Sequence, residues 1–477
     1  MLAVRLLLLF GVLLLAYAAV FHLAPAIVVR IGRALGFRME LTPLTARRVR
    51  RFRRIHRGYI SLVLIGSAFA ASLVLELTVN HKPLYVRYGE LVRYPALADW
   101  LNTFAPWRER NAEVRWPEVG LAERGGGEID GRLYARWVAD PATLETEAQA
   151  VEAAITQDEK RFRAVLAASA RERGLTYDPA SPLPEAKQQE YAEQRRLAAA
   201  YRRLRRELEA GKAAIVMPPY PFSPGELLLN YEGSPPYPPV WARPANAAGM
   251  WPLLGTDFDG RDVLSQLLYG FRVSFAFALA VALIGYAIGV SVGGIMGYFG
   301  GWIDIAVQRV IEVWSSIPFL FTIMILASVI NPGFLALAVL LIVLRSWLGI
   351  TYTVRGEFYR ERSRDYVQAA RAIGLRDTKI MRRHILPNAL VPVVTFLPFD
   401  IVAYIGALVS LDYLGFGLPP STPSWGRLLR QGADNVKNYP ELVIIPVIAF
   451  AVTLFCVVMI GEAVREAFDP KEYARLR

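Results

Sequence analysis

Long apolar runs alternate with shorter polar and basic segments along this chain of 477 residues. A helix that crosses a membrane needs about 20 mostly apolar residues. Seven segments meet that length, at residues 4–28, 59–79, 271–298, 310–331, 334–354, 393–413 and 441–463. The pattern therefore predicts an all-α membrane protein with seven spans, of which the third is long enough to tilt or to extend beyond the bilayer.

The basic residues predict how these spans are oriented, because short cytoplasmic loops are enriched in Lys and Arg. Residues 30–57 contain ten arginines and one acidic residue, and residues 355–391 contain nine Lys or Arg and four acidic residues. Four predicted spans separate the two segments, so both can be cytoplasmic. The N-terminus then lies outside, although residues 1–15 also resemble the core of an uncleaved signal anchor.

The predicted spans divide the chain into five parts. They are an additional N-terminal span with its basic segment (1–57), the first core span (58–79), an external insert (80–270), the remaining core (271–463) and a cytoplasmic tail (464–477). Within the insert, residues 141–212 have apolar positions at helical spacing on both sides of a proline-containing break, which predicts an antiparallel helical hairpin. This hairpin is either a solvated spacer or a docking surface for another subunit. Residues 215–252, rich in Pro, Tyr and Trp, predict an ordered extended segment.

Composition supports a membrane protein and argues against several other classes. Hydrophobic residues make up 54% of the chain, and the mean hydropathy is +0.31. The net charge of +12 comes from basic residues beside apolar spans, so it does not indicate nucleic-acid binding. The single cysteine, Cys456, allows no intrachain disulfide and no cysteine metal site. No GxxxxGK[ST], HExxH or CxxC motif is present and the chain has only four histidines, so we expect no catalytic site, metal or cofactor on this chain.

Residues 365–388 contain the most informative motif. The sequence DYVQAARAIG at 365–374 is followed by Ile380 and by HILPN at 384–388. This segment resembles the EAA motif of ATP-binding-cassette (ABC) import permeases, although Gln368 replaces the consensus glutamate. The resemblance implies a short cytoplasmic helix that docks on a separate ATPase. The residues implied in coupling are Tyr366, Val367, Gln368, Ala369, Ala370, Arg371, Gly374, His384 and Pro387.

The physical properties of these residues fit a docking helix. Val367, Ala370 and Gly374 fall on one helix face, where small side chains would let the helix enter a groove. Gly374 can adopt a positive φ, which would end the helix sharply. We expect Pro387 to stop the following helix before the next span.

Further stretches resemble the dipeptide and oligopeptide permeases of ABC importers. They lie at 254–257, 260–265, 269–274, 410–419, 422–426 and 461–470. Residues 82–84, 86–88 and 218–231 resemble the subgroup that takes up microcin C and murein-type oligopeptides. Residues 1–50 and 141–212 depart from that pattern.

The resemblance implies a type I ABC importer transmembrane domain in the bacterial inner membrane, surrounded by lipid. It implies a second homologous permease, ABC ATPase subunits that bind ATP and Mg²⁺, and an extracytoplasmic peptide-binding protein. A membrane receptor with an external helical domain is the alternative. However, a receptor needs a cytoplasmic output domain, and only about 14 residues follow the last predicted span. A membrane enzyme is disfavoured by the missing catalytic cluster.

Two features inside the spans predict close packing and a polar contact. Glycines recur every four residues at Gly285, Gly289, Gly293 and Gly297, which predicts tight helix packing within or between permease subunits.

Arg345 and Asp400 interrupt spans 334–354 and 393–413 at similar depths, ~13 and ~10 Å from their cytoplasmic ends at 1.5 Å per residue. A charge in the membrane costs ~2.5–3.5 kcal/mol on insertion scales. We therefore expect the two side chains to pair or to share one aqueous cavity. In the alternative, Arg345 snorkels or bonds backbone carbonyls, and water satisfies Asp400.

Overall fold

The computed structural model describes residues 11–19, 21, 43–88, 91–104, 131–173, 176, 178, 181–211, 213–229, 231, 233–244 and 250–468. These residues form two compact units. One is Val74–Ser223, and the other combines described residues of Leu7–Leu73 and Pro224–Arg477. Residues 224–270, which we assigned to the insert, therefore belong with the long helices of the second unit.

The N-terminal part of the second unit has three described helices. They are α1 (residues 11–18), α2 (Pro43–Arg54) and α3 (His56–Ser72). Most of the predicted 4–28 span lies outside the described residues. The helix that covers most of the predicted 59–79 span ends at Ser72, whose hydroxyl donates to the Phe69 carbonyl at 2.6 Å, and a separate short helix follows at Leu75–Thr78. The helix α3 therefore has 17 residues, near the lower limit for crossing a bilayer.

The unit Val74–Ser223 combines helices with a small sheet. Its elements are α4 (Leu75–Thr78), β1 (Tyr85–Tyr88), β2 (Leu91–Arg93), α5 (Pro95–Phe104), α6 (Gly131–Ala139), α7 (Thr143–Glu172), α8 (Glu185–Glu209) and β3 (Ala213–Val216). The sheet has the order β2-β1-β3, with both pairs antiparallel. The pattern of apolar positions does not predict these strands, because each has only three or four residues.

Helices α7 and α8 lie antiparallel inside the segment 141–212. Their apolar faces bury one cluster, formed with α6 by Tyr134, Trp137, Leu144, Ala148, Leu197, Ala198, Ala200, Tyr201, Leu204 and Leu208. Charged contacts also link the two helices, with Arg202 donating to both carboxylate oxygens of Glu152 at 2.7 and 2.9 Å. Asp158, the polar interruption in the stripe, accepts from Lys187 at 3.0 Å and Tyr191 at 2.8 Å. The hairpin thus buries most of its apolar positions between its two helices and against α6.

The remaining helices belong to the second unit. They are α9 (Val263–Phe299), α10 (Gly301–Ser315), α11 (Phe319–Ile330), α12 (Phe334–Leu341), α13 (Leu348–Glu361), α14 (Asp365–Ala372), α15 (Asp377–Ile380), α16 (Leu386–Leu414), α17 (Trp425–Asp434) and α18 (Glu441–Phe468). Two π-helical segments interrupt them, Ile342–Ser346 and Met381–Ile385. By length and composition, three described helices could cross a membrane, and five spans result if each of two bent pairs counts as one. The total of seven stays a prediction.

Two predicted spans are bent rather than straight. The 310–331 segment contains a bend of 68° between α10 and α11, where Pro318 cannot donate a helical hydrogen bond. The hydroxyl of Ser316 donates to the Val313 carbonyl at 2.7 Å and satisfies part of the interrupted backbone. The 334–354 segment bends by 45° after the π segment and continues as helix to Glu361.

The core of this unit centres on Trp425, which is 2% exposed. Its indole donates to the Leu267 carbonyl of α9 at 2.9 Å, so the short helix α17 is fixed against α9. Elsewhere in this unit, a methyl group at Gly58 would clash with Ala463. Helix α3 therefore approaches α18 closely, and Arg57 pairs with Glu466 at 2.9 Å. Helix α18 ends at Phe468, so it includes the start of the predicted tail.

Candidate functional site

The helix α14 lies between two bent or interrupted spans in the predicted cytoplasmic loop. Its buried residues are Val367 and Ala370, which pack with Ile380 and Ile385 into one apolar cluster of this chain. We expected Val367, Ala370 and Gly374 to form the face that enters an ATPase groove. That assignment is wrong for Val367 and Ala370, because their own chain covers them.

The opposite face of α14 is open. Gln368, Ala369, Arg371 and Ala372 are exposed, and Ile373 at the end of the helix is 76% exposed. Ile373 and the neighbouring alanines form an apolar surface in an otherwise basic loop. Its burial against a partner would be favourable, because apolar surface is then removed from water. We call Ala369, Ala372 and Ile373 the outer face of α14.

Gly374 ends α14 as the sequence predicted, with φ of +76°. Its N–H donates to the Arg371 carbonyl at 2.9 Å, and the N–H of Leu375 donates to the Ala370 carbonyl at 3.2 Å. These two bonds form a Schellman motif, in which the left-handed residue favours glycine. A Cβ on Gly374 would meet no atom within 4 Å, so the constraint is the backbone conformation rather than space.

Polar contacts tie α14 to the spans on both sides. The hydroxyl of Tyr366 donates to Glu361 of α13 at 2.6 Å and accepts from the Asn388 amide of α16 at 3.1 Å. Desolvation, followed by the hydrogen bond to Glu361, raises the pKa of Tyr366 above its usual value, so the hydroxyl stays a neutral donor. The amide of Gln368 donates to the Arg362 carbonyl at 3.0 Å. Gln368 therefore satisfies the backbone after α13.

Pro387 does not stop a helix, contrary to our expectation. The chain is helical from Asp377 to Leu414, and the π segment Met381–Ile385 ends two residues before Pro387. A wider π turn accommodates the missing proline N–H without ending the helix. His384 lies in this π segment, is half-buried, and accepts from Asn388 through its carbonyl at 3.4 Å.

The four glycines of α9 face the π segment Ile342–Ser346 and α13. A Cβ at Gly285 would lie 2.7 Å from the Cβ of Ser346, and one at Gly289 would lie 2.8 Å from the Trp347 carbonyl oxygen. At Gly293 and Gly297, a Cβ would clash with backbone atoms between Thr351 and Tyr359. The glycines therefore serve packing within this chain.

An ion pair that the sequence analysis missed lies near the same interface. Arg355 donates to both carboxylate oxygens of Asp304 at 2.5 and 2.7 Å, which joins α13 to α10. The side chain of Asp304 is only 12% exposed. Sequence gave no signal for this pair, because 51 residues separate its members.

Arg345 and Asp400 do not form the direct ion pair that we considered. Tyr286 donates to Asp400 at 2.5 Å, whereas the Arg345 guanidinium lies over the Phe319 ring, 5.4 Å from its centroid. Each side chain thus contacts a different partner.

Comparison with known proteins identifies the class. Residues 289–472 match the family of binding-protein-dependent transport system inner membrane components. The peptidoglycan transport system permease protein YejE of Agrobacterium fabrum is 43% identical over 255 residues, or 54% of this chain and 66% of the relative. The inner membrane ABC transporter permease protein YejE of Escherichia coli is 44% identical over 248 residues, or 52% of this chain and 70% of the relative. The oligopeptide transport system permease protein OppC of Haemophilus influenzae is 34% identical over 218 residues, or 46% of this chain and 70% of the relative.

The helical core and the α14 loop define a membrane permease of the type I ABC importer fold. The chain belongs to the inner-membrane components of binding-protein-dependent transport systems. The resemblance found in its motifs is therefore confirmed, as is its location in the inner membrane.

Proposed function

We propose that this chain is the permease subunit of an ATP-driven importer for peptides. Separate ABC ATPase subunits supply the energy, a second homologous permease completes the pathway, and an extracytoplasmic binding protein delivers the peptide. The relatives named as peptidoglycan and oligopeptide permeases support this substrate class. No cofactor is expected on this chain.

The observation that carries the proposal is the construction of α14. One face is anchored in the chain's own apolar cluster, and the outer face of α14 is presented on the surface. A helix that only filled a loop would not need a large exposed apolar residue at its end. We expect the outer face to contact an ATPase surface. Burial of Ile373 there would stabilise the contact by about 25 cal/mol for each Å² of apolar area removed from water.

The contacts of Tyr366 explain how docking would act on the membrane part. They connect α14 to α13 and to α16, so a displacement of α14 is passed to two spans. ATP binding that brings the ATPases together would then shift the permease between inward-open and outward-open populations.

A pair of substitutions tests the docking role. Ile373→Asp puts a charge on the outer face of α14, and we expect the ATPase subunits to be lost when the permease is purified from membranes. Val436→Asp is the matched control, because Val436 is also an exposed aliphatic residue, beyond α17 and far along the chain from α14. Equal ATPase recovery with both variants would contradict the docking role.

A further inference from the structure

The π segment Ile342–Ser346 is a stabilised break in a span. The Val343 carbonyl accepts from the indoles of Trp314 at 3.1 Å and Trp347 at 3.0 Å. The Ser346 carbonyl accepts from the hydroxyl of Tyr404 at 3.1 Å. Side chains from three helical regions thus satisfy backbone groups that the break releases. Irregular backbone at membrane depth occurs where it is buried in protein or lines a water-filled cavity.

Arg345 lies within this break and is exposed. Its guanidinium lies over the ring of Phe319, the first residue of α11, which follows the bend between α10 and α11. Among the described residues, no carboxylate or carbonyl accepts a hydrogen bond from this guanidinium. A contact with an aromatic ring uses none of the N–H donors, and the fork of N–H groups on a guanidinium matches a carboxylate in geometry.

A lipid-facing position for this cation is unfavourable. Arginine at mid-membrane costs ~2.5–3.5 kcal/mol on insertion scales, and such residues usually face a bundle interior or an aqueous cavity. Polar groups also lie on the helices packed around the break, where Tyr286 donates to Asp400 and Tyr404 donates to the Ser346 carbonyl.

We infer, on the basis of the peptide-importing function proposed above, that Arg345 lines the translocation path and binds the C-terminal carboxylate of the passing peptide. Asp400 does not neutralise Arg345 directly, because its carboxylate is held by Tyr286. Arg345 therefore keeps its charge available for an anion. A transport site needs binding that is strong enough to admit the ligand and weak enough to release it.

The test uses the complete complex in proteoliposomes, with a radiolabelled tetrapeptide supplied by the binding protein. Arg345→Gln should lower ATP-driven uptake of the free-acid peptide at least tenfold, whereas Arg345→Lys should stay within about threefold of the parent chain. Uptake of the C-terminally amidated tetrapeptide should be the same for the parent chain and Arg345→Gln. Arg309→Gln is the control, because Arg309 is a highly exposed arginine of the same unit that pairs with Glu312.

Several results would overturn the inference. One is full activity of Arg345→Gln, and another is equal loss with Gln and Lys, which would indicate a structural role. Equal loss of acid and amide uptake in Arg345→Gln would also overturn it. Loss of the second permease from purified Arg345→Gln complex would instead assign Arg345 to a subunit contact. If the binding protein does not bind the amidated peptide, uptake of the free-acid peptide by Arg345→Gln and Arg345→Lys is the deciding comparison, and equal loss in both would overturn the inference. Absence of peptide uptake by the parent complex would refute the proposed function itself.

Discussion

Replacing Gly293 with alanine should force α9 and α13 apart. A Cβ at Gly293 would overlap the carbonyl oxygen of Thr351 and lie 3.1 Å from the nitrogen of Arg355. Both atoms belong to the backbone of a helix, so neither can move as a flexible side chain would. The two helices must separate, and the contacts along the glycine stripe weaken together.

The structure provides a control that isolates this clash. Gly356 lies in α13, and a Cβ there would meet no atom within 4 Å. Gly→Ala favours a helix by about 1 kcal/mol at either position. That gain cancels when the two variants are compared, so their difference is the overpacking cost of about 1–3 kcal/mol. The shift is about 2–4 °C per kcal/mol for 150–250 residues and smaller for a larger unit such as this one, so Gly293→Ala should melt on the order of 2–6 °C below Gly356→Ala.

Thermal unfolding of the two variants purified in the same detergent measures this difference. The retained monodisperse fraction after heating gives an apparent Tm for each. Equal Tm values would refute the tight α9–α13 contact, and so would a lower Tm for Gly356→Ala.

Three further predictions concern other parts of the chain. Gly374→Leu should abolish uptake while membrane insertion stays intact, because φ of +76° strains leucine. Gly374→Asn should keep most of the uptake, because asparagine tolerates this conformation. Equal uptake by both variants would contradict the prediction. Arg355→Ala should destabilise the core by about 1–3 kcal/mol, because Asp304 loses its partner, and Asp304→Ala added to it should recover part of the loss in a double-mutant cycle. Replacing residues 143–209 by a Gly-Ser linker should leave the melting of the helical core of the second unit unchanged, since the hairpin buries its apolar positions between its own helices and α6, in the other unit. Failed membrane insertion would show that the hairpin supports the core.

The sequence predicted features that depend on local pattern. Apolar runs located the long helices, and 3/4 spacing located the hairpin. A glycine at the end of a short helix predicted the positive φ of Gly374. In each case, the determining interactions lie within one helix or between consecutive elements.

Features that depend on distant contacts could not be predicted in this way. The side of α14 that is buried depends on Ile380 and Ile385, and no pattern within 365–374 identifies it. The π segment before Pro387 keeps the helix continuous where a simple proline rule predicts an end. Equal depth suggested an Arg345–Asp400 pair, but Tyr286 on a third helix takes the carboxylate instead.

The most direct test of the account is ATP-driven uptake by a reconstituted complex. Proteoliposomes would contain this chain, the second permease and the ATPase subunits, with binding protein and labelled peptide outside. We predict peptide accumulation that requires both ATP and this chain, and no ATP hydrolysis by this chain purified alone. ATP hydrolysis by the isolated chain, or peptide accumulation by liposomes that lack it, would contradict the account.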